Sequence, residues 1–569
     1  MINRFTQIAI WGLFLTSTTG WSAPPDAGLL LREELQRERV FSPVMPPRPE
    51  VVEPVSVVKS TDLGLRVTDF HIVGVTAIPE GETQAFLAPF VGQLLTLNEL
   101  HRVASMFEQW LKGRGLFAAK AYIPPQEVKG GSLEIRVVEG RVEGIDVKRG
   151  PEMRLSEDAI QKVMENALPF GSPLLQQPLE RGLLLLNDLP AINARAVLAP
   201  GQEVGGSRLS IEAMQNSTVS GSVELDNTGN RYTGDWRLGG GLSLNDPYGI
   251  GDQWSLRGIV SEGMTLARVG YIAPLGVDGW KIGGSLINSR YRLCCDAALT
   301  DLDSAGQANA VSALLSYPLL RSRLKNLTVS ANLAGRSFTN QSLGVITSDR
   351  KSRSLTLGLA GDFSSTTDQG TYTNYGIQWT SGNLDLGGWV PDLTQDEETA
   401  RTQGTFDKLS AQGSHLVRIT SGAAIYAGFS GQWAGKNLDS SEKFSLGGSQ
   451  GVRAYPVGEA NGDNGWLTSL EWRQELSQDW RMSLFADHGE VTLHREVWSG
   501  WNALAPNTPN RYGLTGVGAS VAWVPIPGSQ VTTVLASRIS NNPAHDPAGN
   551  DSDGRGTSPR LWIQGVLTF

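Results

Sequence analysis

The chain has 569 residues, a net charge of −9 and 40% hydrophobic residues, so it is neither an intrinsically disordered protein nor a small single-core domain. Its mild acidity gives no electrostatic reason to expect binding to nucleic acid. No uninterrupted apolar run reaches the roughly 18 residues that a membrane-spanning helix needs, which excludes a multi-helix transporter. Glycine accounts for 66 residues and charged side chains for only 18%, which favours many short exposed strands.

The first residues have the composition of a secretory signal. Met1–Arg4 carry one positive charge, Phe5–Leu15 are mostly apolar, and a small polar stretch precedes Pro24. We therefore predict a signal peptide over residues 1–22, with the cleavage point left open, and export from the cytoplasm.

The only two cysteines, Cys294 and Cys295, are adjacent in the chain. Neighbouring cysteines cannot connect distant parts of a fold, so we expect no disulfide framework. Two alternatives stay open for the pair: two free thiols, or a local bridge within a loop.

Residues 23–62 combine a short helix with a linker. Asp26–Val40 is rich in helix formers, with Asp26 as a candidate N-cap, and five prolines between Phe41 and Asp62 predict a stiff, extended connection. The helix has too little apolar surface to fold alone. We predict that it lies in a polar cavity as a plug; the alternative is a disordered tail.

Residues 63–140 and 141–214 contain the same small α+β pattern twice, in the order strand, helix, helix, strand, strand. Neither copy contains a catalytic triad, a metal-ligand spacing or a phosphate-binding loop. Units of this kind usually dock other chains, and their exposed strand edges suit the addition of a partner strand.

Residues 215–569 show no helix pattern and instead alternate apolar and polar side chains in segments of about 9–12 residues. In residues 355–363, for example, Leu355, Leu357 and Leu359 share one face, opposite Thr356 and Gly358. About 16 such segments predict a closed transmembrane barrel with a wet interior, since only closure satisfies every backbone polar group in lipid. A soluble sandwich is the less favoured reading. Polar segments at 290–308, 383–404, 436–465, 490–511 and 540–558 are predicted to be loops.

Six segments of the chain resemble the transporters of two-partner secretion, the TpsB or haemolysin-activator family of type V secretion. Residues 111–145 and 173–201 are similar to the family's two polypeptide-transport-associated (POTRA) domains, and residues 225–234 and 245–254 to the entry into its barrel. GGSQGVRAYPVGE (447–459) resembles the family's inward-folded loop, and LFADHGEV (484–491) the barrel strand that meets it.

The resemblance implies a mostly β protein: a 16-stranded antiparallel barrel over 215–569 in the bacterial outer membrane, two periplasmic POTRA domains at 63–140 and 141–214, and an N-terminal plug helix. Such a barrel conducts an unfolded exoprotein of the TpsA type to the cell surface. The resemblance also assigns site residues: a loop tip formed by Val452, Arg453, Ala454 and Tyr455, and a wall motif formed by Phe485, Asp487 and Gly489.

Arg453 and Asp487 are expected to pair, because a guanidinium buried in a wet lumen needs a carboxylate and bidentate geometry can pin a long loop. Phe485 and Tyr455 would pack around that contact. Ala454 departs from the family pattern, which has glycine there; if the turn needs a positive φ, alanine is unfavourable.

The remaining expectations concern partners. The barrel would contact outer-membrane lipid, and Phe569 would serve as the C-terminal signal read by the barrel-assembly machinery that inserts the protein. The six histidines form no ligand cluster in sequence, so we predict no metal. We also predict no cofactor and no enzymatic activity, because the sequence shows no catalytic constellation. The alternative functions are a barrel-assembly insertase of the same superfamily and, in a different class, a passive diffusion porin.

Overall fold

The computed structural model describes residues 25–38, 64–128, 130–296, 300–365, 370–503 and 505–569. The predicted signal peptide and the proline-rich segment Phe41–Asp62 lie outside these described residues. The described chain forms one N-terminal helix, two α+β units and one closed barrel.

Helix α1 spans Ala27–Glu38. Its first turn is stabilised as the sequence predicted, because Oδ1 of Asp26 accepts a hydrogen bond from the backbone N–H of Leu29 at 2.8 Å.

The first α+β unit contains a three-stranded sheet and two helices. Its elements are β1 (Leu65–Arg66), β2 (Asp69–Val73), α2 (Glu80–Leu87), β3 (Leu94–Leu95), α3 (Leu97–Gly113), β4 (Lys120–Tyr122) and β5 (Ser132–Val138). The sheet has the order β2–β5–β4, with β2 parallel to β5. A capping box of Thr96 and Glu99 starts α3, which buries Phe107 and Leu111 in the core.

The second unit repeats the arrangement. Its elements are β6 (Arg141–Arg149), α4 (Glu157–Ala167), α5 (Gln176–Asn187), β7 (Ile192–Pro200) and β8 (Gly206–Gln215). The sheet order is β6–β8–β7, with β6 parallel to β8, so β6 and β7 are its edges. The predicted order of strand, helix, helix, strand and strand is confirmed in this unit and, apart from the additional short strands β1 and β3, in the first.

Sixteen antiparallel strands close the barrel, as the sequence predicted. They are β9 (Val219–Asp226), β10 (Arg237–Asn245), β11 (Gln253–Val260), β12 (Met264–Leu275), β13 (Trp280–Arg292), β14 (Ala305–Arg321), β15 (Lys325–Ser342), β16 (Val345–Ser365), β17 (Thr371–Asp385), β18 (Gly404–Arg418), β19 (Ala423–Ala434), β22 (Asn464–Glu475), β23 (Trp480–Thr492), β24 (Arg511–Trp523), β25 (Ser529–Arg538) and β26 (Arg560–Thr568). Two short strands, β20 (Phe444–Ser445) and β21 (Asn461–Gly462), pair inside the loop between β19 and β22.

The barrel wall alternates as expected. Leu357 and Leu359 on β16 are exposed on the outer face, while Ser354 on the same strand is buried on the inner face. At the end of the barrel nearest the α+β units, Trp480 and Trp523 stack with ring centroids 5.4 Å apart. Among the residues that the structure describes, no helix is long and apolar enough to cross a membrane.

Two sequence expectations for this region are wrong. Strands β14, β15 and β16 are 17, 18 and 21 residues long, well beyond the predicted length, because their pairing continues past the apolar band. The segment 383–404 also contains a helix, α6 (Val390–Glu398), which the sequence did not reveal because its acidic face has no apolar periodicity.

The cysteine pair forms a local bridge. Cys294 and Cys295 are joined by a disulfide in the loop after β13, which is one of the two alternatives left open by the sequence. The backbone N–H of Cys294 also donates to the carbonyl of Tyr232 at 3.1 Å, so this loop is attached to the loop after β9.

The seam between the last and first strands is the shortest contact in the wall, with five paired residues between β26 and β9. Asn227, directly after β9, extends it: its side-chain oxygen accepts from the N–H of Ile563 at 2.7 Å, and its amide donates to the carbonyl of Leu561 at 2.9 Å. The Asn227 side chain therefore continues the β26–β9 hydrogen bonding beyond the last backbone-paired residues of the seam.

We expect Asn227→Ala to weaken barrel closure. The substitution removes two hydrogen bonds to the backbone of β26, each of which contributes about 0.5–1.5 kcal/mol. The measurement is the temperature at which the folded barrel unfolds in detergent, followed by heat-modifiable migration in gels. Asn332→Ala, on the lumen side of β15 and away from the seam, is the control. Equal unfolding temperatures for the two variants would contradict a clamping role for Asn227.

Candidate functional site

The loop between β19 and β22, residues 435–463, folds into the barrel; we call it the inward loop. Its two short strands pair Phe444 with Gly462 and Ser445 with Asn461. Beyond this hairpin base, the tip residues are buried in an apolar cluster with side chains of β23 and β24.

Arg453 and Asp487 are in contact at the loop tip. Nε of Arg453 lies 2.8 Å from Oδ2 of Asp487, and Nη2 lies 2.7 Å from Oδ1, so the guanidinium binds both carboxylate oxygens. The backbone N–H of Arg453 also donates to Oδ2 at 3.1 Å. The carboxylate is fully buried, and three donors from one residue hold it.

Further partners of Arg453 were missed by the sequence analysis. Nη1 donates to Oε1 of Glu471 at 2.8 Å, Nη2 donates to Oγ of Ser469 at 2.9 Å, and the indole N–H of Trp562 donates to the Arg453 carbonyl at 2.8 Å. Ser469 lies directly opposite Asp487 in the β22–β23 register. Alternation along β22 places Ser469 and Glu471 on the same inner face, and this was the sequence signal that could have identified them as partners of Arg453. No such signal connects Trp562, on the last strand, to the loop.

The other tip residues pack closely against the wall. The ring centroid of Phe485 lies 3.4 Å from the guanidinium carbon of Arg453, a cation–π contact. The hydroxyl of Tyr455 donates to the carbonyl of Ser540 at 3.1 Å, and Val452 is fully buried.

Two wall glycines make room for the tip. A Cβ at Gly489 would lie 2.5 Å from Cδ1 of Leu446, and a Cβ at Gly516 would lie 2.6 Å from Cβ of Ala454. The backbone at Ala454 is not in the left-handed region, so the turn does not require glycine there. The wall opposite Ala454 supplies the missing space through Gly516.

Helix α1 lies inside the barrel, at the end far from the α+β units. Ala27, Leu30 and Leu31 are buried against lumen-facing apolar side chains of the wall. We call this wall patch the apolar seat; its members are Ile259, Met264, Leu266, Ile287, Tyr291 and Phe338. The backbone N–H of Ala27 donates to Oδ1 of Asn340 at 3.1 Å, which fixes the helix start over β15.

Charged contacts hold α1 at both ends. Asp26 lies 3.3 Å from Nη1 of Arg350, and both carboxylate oxygens of Glu34 accept from Nη1 of Arg237 at 2.6 and 2.7 Å. Between them, Arg32 donates to the carbonyl of Lys443 in the inward loop. The helix thus contacts wall and inward loop together.

Glu33 of α1 carries a buried carboxylate oxygen without a hydrogen-bond partner in the described part of the chain. It is buried, and its Oε1 accepts no hydrogen bond from any residue that the structure describes. Burial raises the pKa of this carboxyl to about 7, although Arg37, Arg32 and the amide of Asn230 each act to lower it.

Potential metal ligands come together in one place among the described residues: Glu262 and the two cysteines have ligand atoms within 4.8 Å of one another. Both sulfur atoms are committed to the disulfide, so this group does not offer a thiolate site.

The family model described as "Haemolysin secretion/activation protein ShlB/FhaC/HecB" matches residues 205–521, more than half of the chain, and a model of the ShlB-type POTRA domain matches residues 65–140. The chain belongs to the ShlB/FhaC/HecB family.

Curated relatives and solved structures agree with that membership. The chain is 27% identical to the heme/hemopexin transporter protein HuxB of Haemophilus influenzae over 550 aligned residues. The aligned region covers 93% of this chain and 94% of HuxB. It is 26% identical over 442 residues to the outer membrane transporter CdiB of Dickeya dadantii, covering 75% and 74%. The fold is similar to that of CdiB from Escherichia coli, with a TM-score of 0.73 at 20% identity, over 96% of this chain and 100% of the other.

This ShlB-family transporter lies in the bacterial outer membrane with its POTRA domains in the periplasm, and it translocates exoproteins across that membrane. Since the POTRA end is periplasmic, α1 and the inward loop lie toward the extracellular side of the lumen.

The C-terminal residue of the transporter lies at the periplasmic end of the seam. The backbone N–H of Phe569 donates to the carbonyl of Gly221 at 3.0 Å, and the N–H of Gly221 donates back at 2.8 Å. The Phe569 side chain is 68% exposed, on the surface that faces outward.

Replacing Arg453 should disconnect the inward loop from the wall. Arg453→Ala leaves the buried carboxylate of Asp487 without its guanidinium partner, a change that typically costs about 3–5 kcal/mol, whereas Glu471 keeps its ion pair with Arg473. We expect a lower unfolding temperature, new protease sensitivity of residues 435–463 and reduced client export. Arg453→Lys should recover only part, because an ammonium cannot bind two oxygens in a fork.

Arg511→Ala is the matched control for this prediction. Arg511 pairs with Glu490 on the exposed rim, where an ion pair is worth below about 1 kcal/mol. If both alanine variants were equally stable and exported client equally well, the buried contact would not anchor the loop.

Docking of α1 should depend on pH through Glu33. The docked helix binds the Glu33 proton more tightly than a helix free in water, so protonation favours docking. This contribution is present in full below the ordinary pKa of 4.5 and is lost as the pH rises through about 7.

Channel recordings in planar bilayers test the dependence. We expect the open fraction of the intact transporter to increase from acidic to neutral pH, and Glu33→Gln to remove the increase and keep the channel closed. Glu203→Gln, at an exposed carboxyl of the second unit, should behave as the parent. A pH response that survives in Glu33→Gln would assign it to another group.

Proposed function

We propose that this transporter exports one dedicated partner exoprotein, as an unfolded chain, through the barrel lumen. The observation that carries the proposal is how the lumen is filled. The wall is a complete closed barrel, and the material inside it, α1 and the inward loop, is held by side-chain contacts that can break without breaking any strand. In this proposal α1 is the plug of the resting pore.

The inward loop acts in this proposal as a brace that remains in place. Arg453 attaches the loop to β22 and β23, and Trp562 attaches it to β26. A loop fixed to three strands of the wall, β22, β23 and β26, stays in place while the single helix α1 moves.

The second unit, residues 141–214, acts in this proposal as a second POTRA domain that delivers the client to the barrel. Asp188 at the end of α5 binds Arg321 of β14 through two contacts of 2.7 and 2.8 Å. Arg181 donates to carbonyls of Pro318 and Asp278, both at 3.1 Å. These contacts hold the unit against the periplasmic mouth of the barrel.

Capture of the client uses an exposed sheet edge. Strand β7 is an edge strand of nine residues and exposes Val197 and Leu198, which suits the addition of an extended client segment. The backbone supplies the hydrogen bonds and the two apolar side chains supply contact area.

The partner belongs in this proposal to the TpsA type: an adhesin, a haemolysin or a contact-dependent toxin. Support comes from the names of relatives, which include a heme/hemopexin transporter, a CdiB transporter and a hemolysin transporter. The barrel contacts outer-membrane lipid through its exposed apolar wall, and the barrel-assembly machinery reads Phe569 during insertion of the protein itself.

A secretion assay tests the export function. The transporter is expressed with its exoprotein, and client at the surface and in the periplasm is compared with and without residues 65–214. Client outside the cell only when those residues are present supports dedicated export. Unchanged client, together with loss of other barrels from the outer membrane, would identify an insertase instead.

The role of β7 has a sharper test. Val197→Asp combined with Leu198→Asp should reduce client at the surface several-fold, because charge opposes docking of an apolar strand while the fold, which exposes both residues, is kept. Val204→Asp is the control: Val204 is 96% exposed but lies in the turn after β7. Equal export by the two variants would place client capture elsewhere.

A further inference from the structure

The apolar seat is unusual for the inside of a transmembrane barrel, whose lumen is normally polar. Leu266 and Ile287 point into the lumen and are buried there in one apolar cluster with Ala27, Leu30 and Leu31 of α1. If α1 leaves, this patch is exposed to water inside the pore. Polar contacts alone could hold a plug helix in the lumen. In that case no apolar surface would be exposed when the helix leaves.

The seat recognises a defined chemical pattern. On α1, Asp26 and Glu34 are eight residues apart, and Leu30 and Leu31 lie between them. Each acid meets one wall arginine at either side of the seat, while the leucines meet the apolar residues. The seat therefore fits a short amphipathic segment that carries carboxylates on both sides of an apolar centre.

The seat stays assembled without α1, because its arginines have partners of their own. Arg237 binds both carboxylate oxygens of Asp226 at 2.8 and 2.9 Å. Arg350 lies 3.0 Å from Asp392 of α6 and 2.8 Å from Asp439 of the inward loop. Removal of the helix thus leaves a preformed surface of apolar side chains between two positioned guanidinium groups.

Helix α1 satisfies this surface incompletely. Nε of Arg32, Oε1 of Glu33 and Nη2 of Arg37 are buried without a hydrogen-bond partner among the residues that the structure describes. Buried polar atoms without partners weaken docking. A competitor with the same acidic and apolar pattern, but without these extra buried charges, would bind the seat better.

We propose that the apolar seat is also a binding site for the client: a segment of the exoprotein with carboxylates flanking an apolar centre occupies the seat in place of α1. Occupation covers the patch that would otherwise face water and so stabilises the open pore. This inference rests on the export function proposed above.

The test removes the plug and asks whether the seat still matters. In a transporter lacking residues 26–38, Leu266→Ser and Ile287→Ser replace wall side chains that face water, so they do not disturb packing against α1. If the seat serves only the plug, these substitutions leave export unchanged in that background. We expect them to reduce client at the surface several-fold, and unchanged export would overturn the proposal.

Two controls separate an effect of the apolar seat from misfolding of the barrel and from a general effect of lumen substitutions. Heat-modifiable migration shows that each barrel is folded, and Asn332→Ser, in the lumen outside the seat, should export as the plug-less parent does. The intact transporter is assayed in parallel: if it exports no client, the export function itself fails, which is a different outcome from a seat that does not matter.

Site-specific crosslinking gives an independent measurement. A photoreactive phenylalanine at position 338 probes the seat, and the same probe at Asn332 samples the lumen below it. We expect the probe at Phe338 to capture one client segment with carboxylates on both sides of apolar residues, identified by mass spectrometry. Capture of segments spread evenly along the client at both positions would overturn the proposal.

Discussion

A buried guanidinium in a wet lumen is the constraint on which the arrangement inside this barrel depends. Arg453 has to lose its hydration when the inward loop folds into the pore, and a charge removed from water is tolerated only when its partners are complete. Asp487 and Glu471 supply the carboxylates, and Trp562, on the seam strand β26, donates to the Arg453 carbonyl. The loop is thereby positioned by directional contacts.

The same principle extends to the rest of the lumen, where charges are neutralised between elements. Arg350 joins α1, α6 and the inward loop through Asp26, Asp392 and Asp439. Each wall arginine that contacts the helix also keeps a partner of its own. Release of α1 therefore leaves no uncompensated charge on the wall, and the free-energy difference between a plugged and an open pore can be small enough for a client to change it.

The second α+β unit is attached to the periplasmic mouth of the barrel. The second unit contacts the barrel through Asp188 and Arg181, so its free edge strand lies on a body that is already attached to the pore mouth. In the proposed export function, a segment captured on that edge is already close to the entrance of the barrel.

The sequence by itself indicated most of the elements. Alternation with a period of two marks which face of each strand meets lipid, and about 16 such segments can be counted, but helix α6 and the length of β14, β15 and β16 left no signal. It also indicated Arg453 and Asp487, through motifs that resemble a family. Contacts between distant segments were decided only by the tertiary structure. Trp562 donates to the Arg453 carbonyl, Gly516 leaves space for Ala454, and Leu266 packs in one cluster with α1. These contacts exist because closure of the barrel sets which inward side chains face one another. A periodic pattern specifies the face of a strand, but the register and the curvature of the closed wall specify its partners.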